Sequence, residues 1–484
     1  MKKVIWLTLV AWVATVTAEF NDLENFIRVA GTLDNTSTIG YINGSVFARQ
    51  PGVGLKKLFN FEGYNIGRKV KQSDGSFLSL SREFCVYRNP ITSQIEQVWP
   101  NIWTNKPNEV FYVANDPVNG IIGNAPSWQT APHSRPLYQV YNADYILEYP
   151  NPLAPSSYAN YSAGSNYDAV ELFGYLANYT QLSMTESPSV EYIGTWVRRS
   201  QYLPWMEMST KPGELYFASF YWKCTNGLSC VADDIMKIIN EDYSKFKKAP
   251  STFEKPNETS WTVFKKVIDQ RRQAGLPDII IPQVNTSTNV TVMDTSLDAR
   301  VEKFLDVWPL SFSANGSAWS EIPEKQSIRL FDIRGFFQLD FERIPLDGGY
   351  RVQLDGNMQY IDTKTGHQIY RNYTNPITGQ TVPAPKPELG VDYVFSKDSF
   401  YTIDIPDTES IGLLGAQSLD GDQSNGDAWS VNFLELAFPY SSLSGASPTG
   451  AHCAGTFATF SSWPTWMNMT DVPGNIVMKI TMSK

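Results

Sequence analysis

Histidine, cysteine and charged residues are all scarce in this sequence of 484 residues. Only His133, His367 and His452 occur, so a three-histidine zinc site would need all of them, drawn from both halves of the chain. A Ser-His-Asp triad is equally unsupported. The sequence also lacks the P-loop, G-x-G-x-x-G, G-x-S-x-G, H-E-x-x-H and C-x-x-C motifs. We therefore expect neither a metal nor a cofactor.

Long apolar runs are missing except at the start of the chain. The first 18 residues have a basic tip, an apolar run from Val4 to Val16 and a small residue at Ala18, which is typical of a secretory signal peptide. An uncleaved anchor is the alternative, but the run is shorter than the roughly 20 apolar residues that cross a bilayer. We predict a signal peptide over residues 1–18, a secreted protein and no membrane span.

The charge balance is acidic, and the aromatic content is high. A formal net charge of −10 and a pI near 5.0 argue against nucleic acid or an anionic membrane as a partner. The sequence has 14 Trp, 25 Tyr and 26 Phe together with 32 Gly and 30 Pro. This composition indicates β-strands joined by tight turns.

Four cysteines are too few for a disulfide scaffold, although the cysteines of an exported chain tend to pair. Cys224 and Cys230 flank the short segment TNGLS, and we predict a disulfide that closes this loop. Cys85 and Cys453 would then link the two halves of the chain or stay buried and reduced. Four cysteines allow three pairings, and the sequence leaves these alternatives open.

Ten N-x-Ser/Thr sequons are consistent with export. Each is a glycan acceptor only if it is exposed in a eukaryotic secretory pathway. Chance is the alternative, since a polar, turn-rich sequence produces such triplets. We predict a glycoprotein in which several of these are occupied: Asn35, Asn43, Asn160, Asn178, Asn257, Asn285, Asn289, Asn315, Asn372 and Asn468.

An internal repeat is the strongest signal in the sequence. The segment GTWVRRSQYLPWMEMSTKPGEL at 194–215 returns as GTFATFSSWPTWMNMTDVPGNI at 455–476, at an offset of 261 and without a gap. Further upstream, Asn-Gly-Ser at 43–45 aligns with Asn-Gly-Ser at 315–317. A repeat this long predicts two related domains and not a solenoid. We call them copy one (19–230) and copy two (297–484).

Period-two patterns predict strands in both copies. In VEYIGTWVRR, one face carries Tyr192, Trp196 and Arg198, and the other carries Ile193 and Arg199. We predict a mainly β protein with two tandem antiparallel β-barrel-like domains, each closing around an aromatic interior.

Helical spacing occurs only between the copies, at 231–276, and we attach this segment to the first domain. Thr259 is the expected N-cap of its second helix, and Gly275 lies just past the end. The following stretch at 277–296 is rich in Thr, Asn and Pro, which is typical of a linker.

Five segments of copy one carry a resemblance to a known family. They are LFNFEGYNIGR (58–68), LSREFCVYRNPIT (80–92), NDPVN (115–119), RRSQYLPWMEM (198–208) and PNETSWTVFKK (256–266). Together they resemble the domain-of-unknown-function family 1838. Copy two is similar to a second, degenerate member that lacks the NETSW piece. The resemblance implies common ancestry and a secreted β-rich fold, and it implies no activity.

Comparing the copies points to a site in copy one. Apolar and turn positions are kept, whereas four charges are lost or reversed: Glu62 becomes Arg334, Arg68 becomes Asp340, Arg198 becomes Thr459 and Glu207 becomes Asn468. Surface drift and a structural ion-pair network are the alternatives. The functional interpretation is that copy one carries the site and copy two is its structural partner.

This interpretation predicts an aromatic pocket in copy one. Arg198 would be the fixed cation for a carboxylate, enolate or phenolate, and Glu62 or Glu207 would be its partner and the acid–base group. Core packing is the alternative for the aromatic residues, and Arg199, on the other face, is expected to tolerate substitution. The predicted substrate-binding walls are Tyr192, Trp196, Tyr202 and Trp205.

Three classes of function remain open from the sequence. We favour a cofactor-free isomerase, cyclase or lyase that acts on a hydrophobic small molecule, such as one of secondary metabolism. A carrier of an apolar ligand would need a cavity without a buried acid–base pair. A structural cell-surface glycoprotein would need no cavity at all. The sequence does not indicate an oligomeric state.

Overall fold

The computed structural model describes residues 20–130, 138–283, 309–343, 350–403, 405, 410–421, 428–439 and 453–484. The predicted signal peptide, the linker from residue 284 onward, and sequons Asn285 and Asn289 lie outside these residues. Within them the chain is mainly β, as the sequence predicts.

The strands of copy one form one large antiparallel sheet. Its order is β6-β3-β2-β1-β12-β11-β10-β9-β8, with β7 also pairing with β3 and β4–β5 forming a separate hairpin. The strands are β1 (Thr38–Gln50), β2 (Gly54–Lys71), β3 (Phe77–Arg88), β4 (Val98–Pro100), β5 (Pro107–Glu109), β6 (Val113–Asn115), β7 (Gly120–Ile122), β8 (Ser127–Thr130), β9 (Tyr138–Pro150), β10 (Asn166–Asn178), β11 (Tyr192–Ser200) and β12 (Glu214–Cys224).

The strands of copy two repeat this arrangement in the order β18-β15-β14-β13-β23-β22-β21-β20-β19, with a separate β16–β17 hairpin. They are β13 (Leu310–Glu321), β14 (Arg329–Arg343), β15 (Tyr350–Asp362), β16 (Asn372–Thr374), β17 (Thr381–Pro383), β18 (Glu388–Phe395), β19 (Phe400–Ile403), β20 (Ser410–Leu419), β21 (Ser430–Pro439), β22 (Ala454–Ser462) and β23 (Asn475–Ser483). Among the described strands, no pairing closes either sheet into a complete barrel.

The two sheets share their strand register as well as their strand order. Gly44 of β1 pairs with Ser219 of β12, and at the same offsets Gly316 pairs with Ile480. Each first strand carries a register shift at the equivalent place, after Val46 in copy one and after Ala318 in copy two. The duplication seen in the sequence is therefore a duplication of the whole sheet.

The repeated Trp-Met-x-Met motif is structural. In both copies it forms a single 3₁₀ turn that ends in a left-handed residue, at Glu207 (φ 52°) and Asn468 (φ 50°). In copy one the amide of Asn101 donates to the Met206 carbonyl at 2.9 Å. In copy two Asn375 makes the same bond to Met467 at 3.3 Å. The motif thus fixes the β4–β5 and β16–β17 hairpins to their sheets.

Helices follow β12 where the sequence predicts them. They are α3 (Asp233–Glu241) and α4 (Ser260–Gln273), and the N-cap of α4 is Thr259, whose side chain accepts from the Thr262 amide. Gly275, just past α4, has a φ of +68°, which glycine adopts without strain. A further short helix, α2 (Tyr179–Leu182), follows β10.

The expectation of a single helical region was wrong, because α1 (Asp22–Ala30) precedes the first sheet. Asn21 accepts a hydrogen bond from the Glu24 amide at 2.9 Å, and the Glu24 carboxylate accepts one from the Asn21 amide at 3.3 Å. This capping box marks the helix start in the sequence. The inner face of α1 packs Phe26 and Val29 against the aromatic core of copy one.

The two sheets pack with their outer faces against each other. Val197 and Phe220 of copy one share an apolar cluster with Phe433, Ala458 and Phe460 of copy two. The opposite, inner faces of the sheets belong to two separate clusters. Both faces of β11 are therefore covered by protein.

This packing corrects the expectation for Arg199, which does face away from Arg198 but is buried between the sheets. Its guanidinium contacts Asp168 at 2.6 Å, Glu214 at 2.9 Å and Glu321 of copy two at 2.7 Å. The sequence pattern separates the faces correctly, but it does not show that a second sheet covers the outer one.

The cysteines behave as one of the predicted alternatives describes. Cys224 and Cys230 form the disulfide, and Cys85 and Cys453 are buried and unpaired. No helix in the described part of the chain has the length and hydropathy to cross a membrane.

Candidate functional site

A cavity of about 410 Å³ lies on the inner, concave face of the first sheet. Successive side chains of a strand point to opposite faces. On β11, Tyr192, Trp196 and Arg198 therefore line the cavity, while Ile193 and Val197 pack into the contact between the sheets. Strands β1, β2, β3, β9, β10 and β12 supply further wall residues, and the segment at 257–261 contributes as well.

Aromatic rings form much of the cavity wall. Trp196 stacks on Phe173 with ring centroids 6.0 Å apart. Tyr192 contacts Tyr175 at 5.4 Å and Tyr221 at 5.5 Å. These edge and stacked contacts hold the rings in place without filling the space between them.

Arg198 is paired inside the cavity with Glu171, which lies directly opposite it on β10. Arg198 Nε is 3.5 Å from Glu171 Oε1, and a second guanidinium nitrogen donates to the Tyr167 hydroxyl. The guanidinium also lies 5.9 Å from the ring of Trp261, at the start of α4. Burial raises the pKa of the Glu171 carboxyl above its usual range, although the positive charge of Arg198 opposes this shift.

Glu83 of β3 is a second carboxyl group in the same cavity. It accepts one hydrogen bond from the side-chain amide of Asn115, at 2.9 Å on Oε2. Burial raises the pKa of Glu83, the Asn115 bond lowers it, and the negative charge of Glu171 raises it further. A carboxyl group whose pKa moves toward neutrality is suited to both accepting and donating a proton.

Two lysines lie at another part of the wall. Lys223 Nζ lies within hydrogen-bonding distance of four oxygens, the carbonyls of Arg28 (2.8 Å), Gly31 (2.7 Å) and Val190 (2.9 Å) and the hydroxyl of Ser189 (2.9 Å). Among the described residues, Lys69 donates one hydrogen bond, to Ser79. Lys223 is thus held rigidly, whereas Lys69 is less tightly bound.

The rim of the cavity joins two segments that are far apart in the sequence. The Asn257 side chain accepts from the Asn119 amide at 2.9 Å and donates to the Asn119 carbonyl at 2.8 Å. The Glu258 amide donates to the Pro117 carbonyl at 2.9 Å. NDPVN and PNETSW, which carry part of the family resemblance, therefore meet beside the cavity.

A family model described as a protein of unknown function (DUF1838) matches residues 35–268. The chain is therefore similar to the DUF1838 family over this span, which we call the DUF1838 domain. It contains all of β1–β12, the rim and most of α4, and so holds the cavity wall apart from Ala30. The match stops before copy two.

Other comparisons add no function to the DUF1838 domain. No curated protein matches the chain. A Nostoc punctiforme protein of unknown function from the DUF3598 family aligns over 96% of this chain and 99% of its own, with 8% identity and a TM-score of 0.23. Salmonella typhi OmpF in complex with daunomycin aligns over 93% and 97%, with 5% identity and a TM-score of 0.13. Scores this low support no structural argument.

The two predicted partners of Arg198 lie elsewhere. Glu62 is on the outer face of β2, where it accepts hydrogen bonds from Tyr41 and Arg88. Glu207 ends the 3₁₀ turn after β11 and accepts from Asn108 at 3.0 Å. The expected pairing with Arg198 was therefore wrong, because an even-numbered residue of β2 and a turn residue both face away from the cavity.

Two of the four predicted aromatic walls are also elsewhere. Trp205 packs against Tyr87 and Trp99 at 5.4 and 6.1 Å, and Tyr202 packs against Trp103 at 5.5 Å. These residues belong to the core that holds the β4–β5 hairpin. Core packing, the alternative from the sequence, is what the structure shows for them.

Sequence reasoning missed Glu171, although a signal for it exists. At the offset of 261, Glu171 matches Asn432 and Arg198 matches Thr459. Thr459 lies directly opposite Asn432 in copy two and donates to its side-chain oxygen. The ion pair of Arg198 and Glu171 in copy one thus corresponds to a neutral hydrogen-bonded pair at the same strand positions of copy two.

The inner face of the second sheet carries buried apolar side chains at the equivalent strand positions. Phe337, Leu434, Leu436, Phe457 and Met482 belong to one buried cluster on the inner face of the second sheet. At the offsets of the internal repeat, these positions align with Asn65, Phe173, Tyr175, Trp196 and Tyr221 of copy one. At these described positions, copy two therefore has an ordinary packed core where copy one lines a polar cavity.

The geometry suits the binding of a small, partly apolar molecule with one anionic or polarised oxygen. Aromatic rings supply the walls, Arg198 supplies a fixed cation, and Glu83 supplies a second carboxyl group. Among the described residues, no cluster of three or more His, Cys, Asp or Glu side chains is placed to hold a metal ion.

Proposed function

We propose that the cavity of the DUF1838 domain binds a hydrophobic small molecule that carries a carbonyl or carboxylate oxygen. We further propose that the domain moves a proton on this molecule by cofactor-free acid–base catalysis, as an isomerase, cyclase or lyase does. The observation that carries the proposal is a cavity with an arginine and two carboxyl groups of raised pKa, at a place where copy two has a packed core.

The size of the cavity supports a small-molecule site. Pockets that bind such ligands have volumes of roughly 300–1,000 Å³ and mostly apolar walls with a few placed polar groups. The cavity volume of about 410 Å³ lies in this range. A purely structural glycoprotein would not need such a space.

The roles follow from the contacts. Arg198 would pair with the oxygen on which negative charge develops, because a guanidinium remains charged at all relevant pH values. Glu171 would hold Arg198 in place from the opposite strand. Glu83 would transfer the proton, since Asn115 occupies only one of its carboxylate oxygens. These two carboxyls take the places that the sequence hypothesis assigned to Glu62 and Glu207.

Hydrogen–deuterium exchange into a ligand would test the chemistry without knowledge of the product. Hydrophobic ketones and unsaturated acids are first screened for binding by thermal shift. Those that bind are then incubated with the protein in D₂O and followed by mass spectrometry. We expect catalysed deuterium incorporation at a carbon next to the carbonyl group.

Two variants decide between an enzyme and a carrier. Glu83→Gln should keep binding and lose the exchange, whereas Glu62→Gln, on the outer face, should keep both. Binding without any catalysed exchange by the wild-type protein would instead identify a carrier of apolar ligands.

We also infer that the protein is an exported glycoprotein. The signal-like segment at 1–18, the ten sequons and the Cys224–Cys230 disulfide support this inference. N-terminal sequencing of protein recovered from the medium of expressing eukaryotic cells tests it. The expected first residue is Glu19, and retention of residues 1–18 would contradict the cleavage.

A further inference from the structure

Lys69 occupies an unusual position for a lysine, because it lines the cavity instead of extending into solvent. It lies near the end of β2, opposite Ser79 of β3, and its Nζ donates to Ser79 Oγ at 2.6 Å. Among the residues that the structure describes, no carboxylate is paired with this ammonium group. The backbone at Gly31 leaves room for its stem, since a Cβ there would come within 2.6 Å of Lys69 Cγ.

The surroundings disfavour the ammonium ion more than water does, and so raise the fraction of neutral amine. Burial lowers the pKa of Lys69 to about 8. Burial lowers the pKa of Lys223, in the same wall, to about 7. The positive charge of the nearby Lys69 is the second cause of this shift. A lysine that is desolvated beside a second cationic group is a well-known kind of amine nucleophile.

We propose that Lys69 forms a Schiff base with a carbonyl group of the ligand, so that the substrate class is an aldehyde or ketone with an apolar or aromatic body. The Nζ lone pair attacks the carbonyl carbon, and the carbonyl oxygen takes a proton. The resulting carbinolamine then loses water, which carries away both amine hydrogens, and leaves the imine. No oxidant or reductant is required.

This inference rests on the proposed function and sharpens it. A protonated imine withdraws electrons from the neighbouring carbon and so makes its hydrogen easier to remove. Glu83, in the same cavity, would then remove this hydrogen, and the imine nitrogen would take up the electrons. Because the carbonyl oxygen has left as water, Arg198 would on this route pair with a second polar oxygen of the ligand. Lys69 thereby supplies the activation that the proposed proton transfer needs.

Reductive trapping tests the imine directly. The full-length protein is incubated with 2-naphthaldehyde and sodium cyanoborohydride at pH 7, and the labelled lysines are mapped by peptide mass spectrometry. An ordinary lysine has a pKa of about 10.4, so a shift to about 8 raises the neutral fraction at pH 7 by roughly two hundredfold. We expect Lys69 to be labelled well before the surface lysines.

Lys71→Met is the matched control, because Lys71 lies two residues further along β2 with a side chain that is 57% exposed. Labelling at Lys69 should persist in this variant and disappear in Lys69→Met. The mapping of the wild-type protein stands by itself if Lys69→Met fails to fold. Labelling of Lys69 at the rate of the surface lysines would overturn the proposal.

The two proposals fail in different ways. Fast labelling of Lys69 without catalysed deuterium exchange would support the imine and contradict the acid–base function. Exchange that persists in Lys69→Met, without fast labelling of the wild-type protein, would support acid–base catalysis and contradict the imine.

Discussion

The hydroxyl groups of Thr195 and Thr456 lie 2.8 Å apart, and these two residues are separated by the 261-residue offset of the internal repeat. Each residue is thus hydrogen-bonded to its own counterpart in the other copy. A contact of this kind occurs where a local two-fold axis passes between two equivalent chains. The sheets of copy one and copy two therefore pack as the halves of a symmetric dimer do, although they belong to one chain.

The contact departs from symmetry beside this axis. Glu435 lies opposite Thr456 in β21–β22, and its counterpart in copy one is Gly174, opposite Thr195. Glu435 is fully buried, and its oxygens face the first sheet near the backbone of Trp196 and Ser219. Copy two thus supplies a buried carboxyl group at a position where copy one has no side chain.

The first prediction concerns Arg199. Arg199→Met should lower the free energy of unfolding by about 3–5 kcal/mol, because it leaves three carboxylates near the sheet contact without their shared cation. Urea unfolding measures the change.

Arg351→Met is the matched control for this substitution. Arg351 pairs with Asp392 on the surface at 2.8 Å, with side chains that are 48% and 51% exposed. Such pairs contribute about 0–1 kcal/mol. Equal effects of the two substitutions would contradict the structural role assigned to Arg199.

The second prediction concerns the pH dependence of stability and Glu435. Burial raises the pKa of Glu435 far above its usual range, and the nearby amides and Lys479 only partly oppose this. Between the unfolded pKa of about 4.3 and the raised folded pKa, the native state binds more protons than the unfolded state. The contribution of Glu435 to stability therefore falls as the pH rises through this window.

Glu435→Gln should remove this decrease of stability with rising pH and make the protein more stable than wild type at pH 8. Unfolding by urea at pH 5, 6.5 and 8 measures this. Glu388→Gln, at an exposed position of β18, is the control and should leave the slope unchanged. If the stability of Glu435→Gln depended on pH as that of the wild type does, the role assigned to Glu435 would be wrong.

Much of the fold could be predicted from the sequence because strand patterns and repeats are local signals. The alternation in VEYIGTWVRR separates Arg198 from Arg199 correctly, and the 22-residue match pairs the two segments that adopt the same local structure. The short helix α1 was missed although Asn21 and Glu24 form a readable capping box. Its buried apolar residues are only Phe26, Ile27 and Val29, and this is little signal for a periodicity.

The site could be predicted only in part. Tyr192, Trp196 and Arg198 lie on one strand, so period two suffices to bring them together. Their partners come from β2, β3 and β10, and the choice between the faces of those strands depends on register. Register is decided by long-range strand pairing, which the sequence pattern does not contain. The sequence therefore pointed to Glu62 as the partner of Arg198 and not to Glu171 or Glu83.

The third prediction concerns glycosylation. Asn35, Asn160, Asn372 and Asn468 are exposed and should carry glycans in protein secreted from eukaryotic cells. Asn257 should be unmodified, because both polar atoms of its side chain are bonded to the Asn119 backbone. Peptide mapping after enzymatic deglycosylation in H₂¹⁸O measures the occupancy, and a fully occupied Asn257 would contradict the described rim.

The fourth prediction uses copy two as an internal control for the ion pair in the cavity. Arg198→Thr alone should destabilise the protein by about 1–3 kcal/mol, because Glu171 is left in the cavity without its cation. The double variant Arg198→Thr/Glu171→Asn should recover most of this loss, since the same two residue types form a hydrogen-bonded pair in copy two at Thr459 and Asn432.

A double-mutant cycle based on urea unfolding measures the coupling, which should be about 0.5–3 kcal/mol for residues in contact. The double variant should fold, bind ligand more weakly and lose the deuterium exchange, because it keeps the strands and removes the cation. Additive effects of the two substitutions on stability would show that Arg198 and Glu171 do not act as a pair. A stable double variant with full exchange activity would show that the pair is structural and would move the proton transfer elsewhere in the cavity.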